Sequence, residues 1–153
     1  MKIQSTRFGE LDIAECDVIH FSQGLPGFPE EYHFALLPQG EESPFFFLQS
    51  TQDPNLTFLL VDPFAFFAEY HFEIDDKLVT QLGLTTEHPP MAFCIVNVPQ
   101  GKMQDMTANL SAPIVINRFS RLGRQVVLTD TSYSLRQRWE RYSSLTLRRG
   151  HFH

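Results

Sequence analysis

The sequence predicts a mostly β, small single-domain, β-barrel-like fold with one or two short helices. Three observations predict it. Apolar runs are short and bounded by turn residues throughout. The chain of 153 residues carries 15 phenylalanines against a single tryptophan, Trp139, and aromatic side chains favour strands and bury large areas. Helical periodicity is confined to two segments.

Taken in order, Leu11 and Ile13 alternate with Asp12, and Ile19 and Phe21 alternate with Val18 and His20, the pattern of strands with one wetter face. Residues 23–29, QGLPGFP, read as a stiff turn. Two glycines reach positive φ, two prolines fix φ near −65°, and Leu25 and Phe28 are presented. Residues 45–48, 58–61, 92–98, 114–116 and 126–128 are nearly continuous apolar runs, expected as strands covered on both faces. A closed or nearly closed barrel with loops folded over it satisfies both patterns.

Ile74, Leu78 and Leu82 recur at helical spacing, with Asp75 and Asp76 at the start and Gly83 after the end. That spacing predicts an amphipathic helix with acids at its positive pole and a glycine stop. A second helix is expected over residues 134–142, opened by a Ser134/Gln137 capping box and docking Leu135, Trp139 and Tyr142 on the barrel. Residues 1–133 then form the barrel domain and residues 134–153 a basic C-terminal extension, part helical.

A polar knot, Asp105, Thr107, Asn109 and Ser111, runs straight into the apolar residues 114–116. Such side chains bond nearby backbone and fix a loop's path, and an ordered loop set on a strand is a place for recognition.

Residues 1–105 hold 4 basic and 16 acidic side chains, a balance of −12, whereas residues 106–153 hold 8 arginines against Asp130 and Glu140, a balance of +6. That asymmetry suits a basic partner for the acidic part. Cys16 and Cys94 lie far apart without a Cys-x-x-Cys partner, as in a reduced cytosolic protein. The N-terminus lacks a signal peptide's apolar run, and residues 59–68 are too short to span a bilayer, so a soluble cytoplasmic protein is expected.

Catalytic patterns are missing. The six histidines are scattered with no His-x-x-x-His pair, there is no Gly-x-Ser-x-Gly elbow, and the glycine cluster at residues 24–28 lacks a phosphate loop's Gly-Lys-Ser/Thr ending. The adjacent carboxylates Glu30–Glu31, Glu41–Glu42 and Asp75–Asp76 read as solvated faces. No cofactor or metal is implied. Arginines interleaved with Trp139, Tyr142 and Phe152 would suit nucleic acid, but the acidic bulk of the chain would repel phosphates.

Five segments, GLPGF, PFFFLQS, FLLVDPFAFF, TANLSAPIVIN and GRQVVL, stand in an order and spacing that resembles the FliW family of bacterial flagellar assembly factors, over roughly residues 3–133. The resemblance implies a small β barrel with a non-catalytic role. It also implies two linked partners, flagellin and the RNA-binding translational repressor CsrA. Free FliW sequesters CsrA and relieves repression of flagellin synthesis, whereas flagellin-loaded FliW does not. No direct nucleic-acid contact and no membrane contact are expected.

Protein-binding positions are expected at Leu25 and Phe28 in the turn. Phe67 and Tyr70 read as core side chains or, alternatively, as part of an apolar groove for a partner segment rimmed by Glu69 and Glu73, and they are carried as binding candidates on that second reading. Asp62, Asp75 and Asp76 complete an acidic cluster suited to CsrA, and Asp105, Thr107 and Asn109 are further candidates. The residues alone leave a second class open, a β-barrel ligand-binding protein or enzyme with a phenylalanine-lined pocket. The basic stretch after Tyr133 departs from the family pattern.

Overall fold

The computed structural model describes residues 1–129 and 133–138. A hairpin of β1 (Lys2–Ser5) and β2 (Gly9–Asp12) comes first, followed by β3 (Val18–His20), β4 (His33–Pro38), β5 (Phe45–Ser50) and β6 (Thr57–Val61). Among the described residues one α-helix, α1 (Asp76–Leu82), precedes β7 (Met91–Asn97), β8 (Thr107–Ala108), β9 (Ile114–Asn117), β10 (Leu122–Gln125) and β11 (Gln137–Arg138).

Strands pair in the order β7-β6-β5-β4-β3-β10-β9, and a further β9–β7 pairing closes them into a seven-stranded barrel. All these pairings are antiparallel except β3–β10. Closure removes the exposed edges that an open sheet would offer. Beyond β7, the short strands β8 and β11 branch off as a flap.

Alternate side chains of each strand enter the barrel, where Phe21, Phe34, Leu48, Leu60, Phe93, Ile114 and Ile116 are fully buried. Rings meet edge to face, Phe21 on Phe34 at 5.8 Å and Phe46 on Phe93 at 4.9 Å between centroids. The interior is filled by these side chains.

The outer wall is covered in three places. Ile3, Leu11 and Ile13 of the hairpin side lie on Ala35 and Leu37. Phe66, Phe67 and Tyr70, from the segment after β6, lie on Val61, Cys94 and Val96. Leu78 and Leu82 of α1 lie on Val115. These covers explain why the runs in β5, β6, β7 and β9 are apolar on both faces.

Helix α1 matches its sequence signals. Asp75 caps it, its carboxylate accepting from the Leu78 N–H at 2.8 Å, and Gly83 ends it at φ +68°. Its C-terminus is clamped by Asn117, whose buried amide donates to the carbonyls of Leu82 (2.7 Å) and Gly83 (3.1 Å).

Two expectations are corrected. Residues 126–128 are not a strand; the strand there is Leu122–Gln125. Gln125 pairs with Ile114, and opposite Val126 stands Pro113, which accepts from the Val126 N–H at 2.8 Å but has no N–H to return. The Leu128 N–H still donates to the Ser111 carbonyl at 2.8 Å, so beyond Gln125 the bonding runs one way only and the reciprocal ladder ends. The helix expected over residues 134–142 does not start at Ser134. Ser134 Oγ accepts from the Arg136 N–H in a local turn, and Gln137–Arg138 pair with Ala108 and Thr107 as a strand. A nine-residue helix is marginal alone, and the free edge of β8 supplied better partners for the backbone. Leu135 is exposed rather than docked, while Trp139 and Tyr142 lie outside the described residues.

Candidate functional site

Pairing register builds the site. Cross-strand partners place Leu37, Phe47, Leu59 and Val96 in one row on the outer wall, with Phe45, Val61 and Cys94 in the next row on the same face. The hairpin covers the Leu37 end and the aromatic segment covers the Val61–Cys94 end. Between the two covers the wall is left open. A groove of about 860 Å³ runs there, floored by Phe45, Phe47, Leu59, Val96 and Val98.

Its rim is charged. The Arg7 guanidinium sits 4.9 Å from the Phe47 ring centroid, and Phe8 packs edge-on to the same ring at 5.0 Å. On the other side the β4–β5 loop carries the exposed Glu41 and Glu42, the latter held at φ +60°. A non-glycine residue in that region stores local strain, a feature that concentrates where function needs a fixed geometry.

Gln49, buried at the edge of this wall, ties the hairpin to the barrel. Its Oε1 accepts from Ser5 Oγ at 2.8 Å and from Thr57 Oγ1, and its Nε2 donates to the carbonyls of Ser50 and Asp53. Every polar group of this buried amide is thus satisfied, which makes it a rigid joint.

The aromatic cover is anchored in a similar way. Asp62 Oδ1 accepts from the Phe64 N–H at 3.0 Å and starts the turn Pro63–Ala65. Partial burial pushes the Asp62 carboxyl above its ordinary range, opposed by that backbone bond. The Tyr70 hydroxyl donates to the Leu110 carbonyl at 2.8 Å and lies 3.9 Å from Cys94 Sγ. Burial, then the neighbouring Cys94 and Tyr133, drives the Tyr70 phenol far above its ordinary range, and burial drives the Cys94 thiol up to about 12.

Next to this cover lies an acidic face. Glu69, Glu73, Asp75 and Asp76 are all exposed, and among the described residues Glu69, Glu73 and Asp76 make no ion pair. A second cleft of about 420 Å³ opens beside it, between His71, Phe72, Glu73, Asp75 and Leu78 on one side and residues 126–129 on the other.

The predicted binding residues separate into two sets. Phe28, Glu69, Glu73, Asp75 and Asp76 are at the surface, and Asp62 is half-buried. Leu25, Phe67 and Tyr70 are about nine-tenths or more buried and are not presented. Leu25 plugs the barrel core because Gly24 turns the chain inward, at a position where a Cβ would meet the Phe28 carbonyl oxygen at 2.4 Å. Phe67 and Tyr70 form the underside of the aromatic cover, so they shape the groove's end without lining it.

Asp105, Thr107 and Asn109 are half-buried in a joint. Asn109 Oδ1 accepts from the N–H and Oγ of Ser111, and the Leu110 N–H donates to Ser134. The polar knot therefore connects cover, flap and barrel. Sequence reasoning missed Arg7, Glu41, Glu42, Phe47, Leu59 and Val98. Residues 45–48 and 58–61 are apolar throughout, so the sequence carries no alternation to mark the groove's floor, and only the register says which alternate set faces out.

Among the described residues no three His, Cys, Asp or Glu side chains converge as a metal site, and no helix is long and apolar enough to cross a membrane. Cys16 is exposed, Cys94 is buried, and both are free.

Comparison with known proteins fits this geometry. The family model described as "FliW protein" matches residues 2–139. This chain belongs to the FliW family. Relatives named flagellar assembly factor FliW include one from Desulfitobacterium hafniense (strain Y51), 51% identical over 138 residues that cover 90% of each chain. Another, from Geobacillus sp. (strain WCH70), is 46% identical over 90% of this chain and 94% of its own. A crystal structure of the flagellar assembly factor FliW superposes with a TM-score of 0.82 at 43% identity, covering 91% of this chain and 96% of that one. The FliW match stops at residue 139, so nearly all of the basic stretch beyond the flap lies outside it.

Proposed function

We propose that this chain is a non-catalytic, cytoplasmic flagellar assembly factor that binds flagellin and, when free of flagellin, binds CsrA and relieves its repression of flagellin synthesis. The observation that carries the reading is the open apolar groove on the outer barrel wall, set beside an exposed acidic face. Core side chains such as Phe21, Phe34 and Phe93 pack inside the barrel, whereas the open groove floored by Phe45, Phe47 and Leu59 on its outer wall suits an apolar polypeptide segment. The exposed helical ends of unassembled flagellin are such segments, and shielding them suppresses aggregation.

The acidic face is the complementary surface for CsrA. An RNA-binding protein is normally basic, and surface carboxylates steer encounter with a basic partner. Relatives carrying the name flagellar assembly factor support the same role.

Size-exclusion chromatography of the purified chain with monomeric flagellin at micromolar concentration tests this reading. A single peak at the mass of a one-to-one complex is expected. Two separate peaks would overturn it.

A further inference from the structure

We propose that His20 and His33 form a two-histidine chelate on the outer barrel wall for a divalent transition-metal ion of the Zn²⁺, Ni²⁺ and Cu²⁺ class. Neither residue lines the groove or belongs to the acidic face, so the site is independent of the partner-binding reading.

Strand register brings the two rings together. Ile19 and Phe21 enter the core, so His20 between them faces outward, and His33 does likewise beside the core residue Phe34. His20 and His33 stand directly opposite each other across antiparallel β3 and β4. One step along, the Phe21 N–H donates to the Tyr32 carbonyl at 2.7 Å. The backbone of the histidines turns away from their shared gap instead: the His20 N–H donates to the Arg121 carbonyl at 2.8 Å, and the His33 carbonyl accepts from the Thr51 N–H at 3.1 Å. His20 and His33 are therefore a non-hydrogen-bonded pair, the kind in which facing side chains come closest.

The separation of the ring nitrogens fits a metal ion. His20 Nδ1 lies 3.2 Å from His33 Nε2, with ring centroids 4.8 Å apart. Two zinc–imidazole bonds at a tetrahedral angle hold their nitrogens roughly 3.3–3.4 Å apart. Neither strand has to move, and the broad χ2 torsion of histidine lets both lone pairs turn to one point. Without an ion, one neutral ring can donate its N–H to the other across this gap, and the ion takes the place of that proton.

The site is open to solvent. His33 is exposed and His20 half-buried, and both line a cleft of about 330 Å³ with Glu15, Ser120 and Arg121. The Arg121 guanidinium is engaged by the Glu15 carbonyl at 2.9 Å, and the Glu15 carboxylate offsets its charge on the same cleft. Among the described residues no third His, Cys, Asp or Glu converges here, so water takes the remaining positions. Imidazole without a set of oxygen ligands selects late first-row ions over Mg²⁺ and Ca²⁺.

Calorimetric titration of the untagged full-length chain with Zn²⁺, Ni²⁺, Cu²⁺ and Mg²⁺ at neutral pH tests the proposal. Saturable binding of the first three is expected, Cu²⁺ tightest, with none of Mg²⁺. His33→Gln, at an exposed position, should weaken binding roughly tenfold or more, and so should His20→Gln, because the second ligand binds intramolecularly. His71→Gln, whose parent ring is engaged by the Glu69 carbonyl, should keep the parent affinity, as should His151→Gln/His153→Gln. Electron paramagnetic resonance of the Cu²⁺-loaded chain should show two coordinated imidazole nitrogens. A parent chain that binds none of these ions, an affinity indifferent to both His20→Gln and His33→Gln, or binding abolished by the His151/His153 variant would overturn the proposal. Each of these results leaves the chromatographic test with flagellin untouched.

Discussion

The Tyr70 hydroxyl donates to the Leu110 carbonyl at 2.8 Å, joining the aromatic cover after β6 to the polar loop that precedes β9. Both ends are buried, and the Tyr70 ring also meets Tyr133 edge-on at 4.7 Å between centroids. Three segments far apart in sequence therefore converge on one phenol. The cover that closes one end of the groove is held by this joint as much as by its apolar contacts.

Tyr70→Phe keeps the ring and removes the donor. The Leu110 carbonyl is then left buried without that partner, at a cost of about 1–3 kcal/mol. Chemical denaturation should show a lowered midpoint with an unchanged slope. A variant as stable as the parent would mean that the hydroxyl contributes nothing to the joint.

Cys94 makes stability depend on alkaline pH. Its thiol is raised from 9.0 to about 12 by burial, so the folded state holds its proton more tightly than the unfolded chain. Its stabilising contribution is complete below pH 9 and is lost as pH rises toward 12. Tyr70, raised in the same direction, adds to that loss above its ordinary range. Thermal melts under reducing conditions between pH 7 and pH 10.5 should show a falling midpoint, with a shallower fall in Cys94→Ala.

Gly123→Ala tests a close approach. A Cβ at this buried glycine would lie 2.5 Å from Phe21 Cε2, inside the barrel core and between β3 and β9. The ring has to shift within a packed interior, so a loss of about 1–3 kcal/mol is expected. Far-ultraviolet circular dichroism through a thermal ramp reads it directly, and an unchanged midpoint would show that Phe21 has room to move.

Glu69→Lys/Glu73→Lys reverses two exposed charges on the acidic face. Association with CsrA should slow and lose much of its salt dependence, while dissociation changes little. Stopped-flow kinetics at low and moderate salt provide the measurement. Identical rates in parent and variant would move the contact to another surface.

Local chemistry was legible in the sequence by itself. The Ile74/Leu78/Leu82 spacing with Asp75 and Gly83 determined α1 and both its caps, because capping and helical periodicity act within a few residues. Apolar runs determined β5, β6, β7 and β9, and the five family segments determined the fold they build. What only the tertiary structure decided is which apolar residues face outward and which are presented. Leu25 and Phe28 are three residues apart in one turn, yet one plugs the core and the other lies at the surface. The groove depends on cross-strand register and on where two covers stop short of each other, both of which are long-range. Gln137–Arg138 became a strand because a free edge stood beside them, a partner that no local pattern could announce.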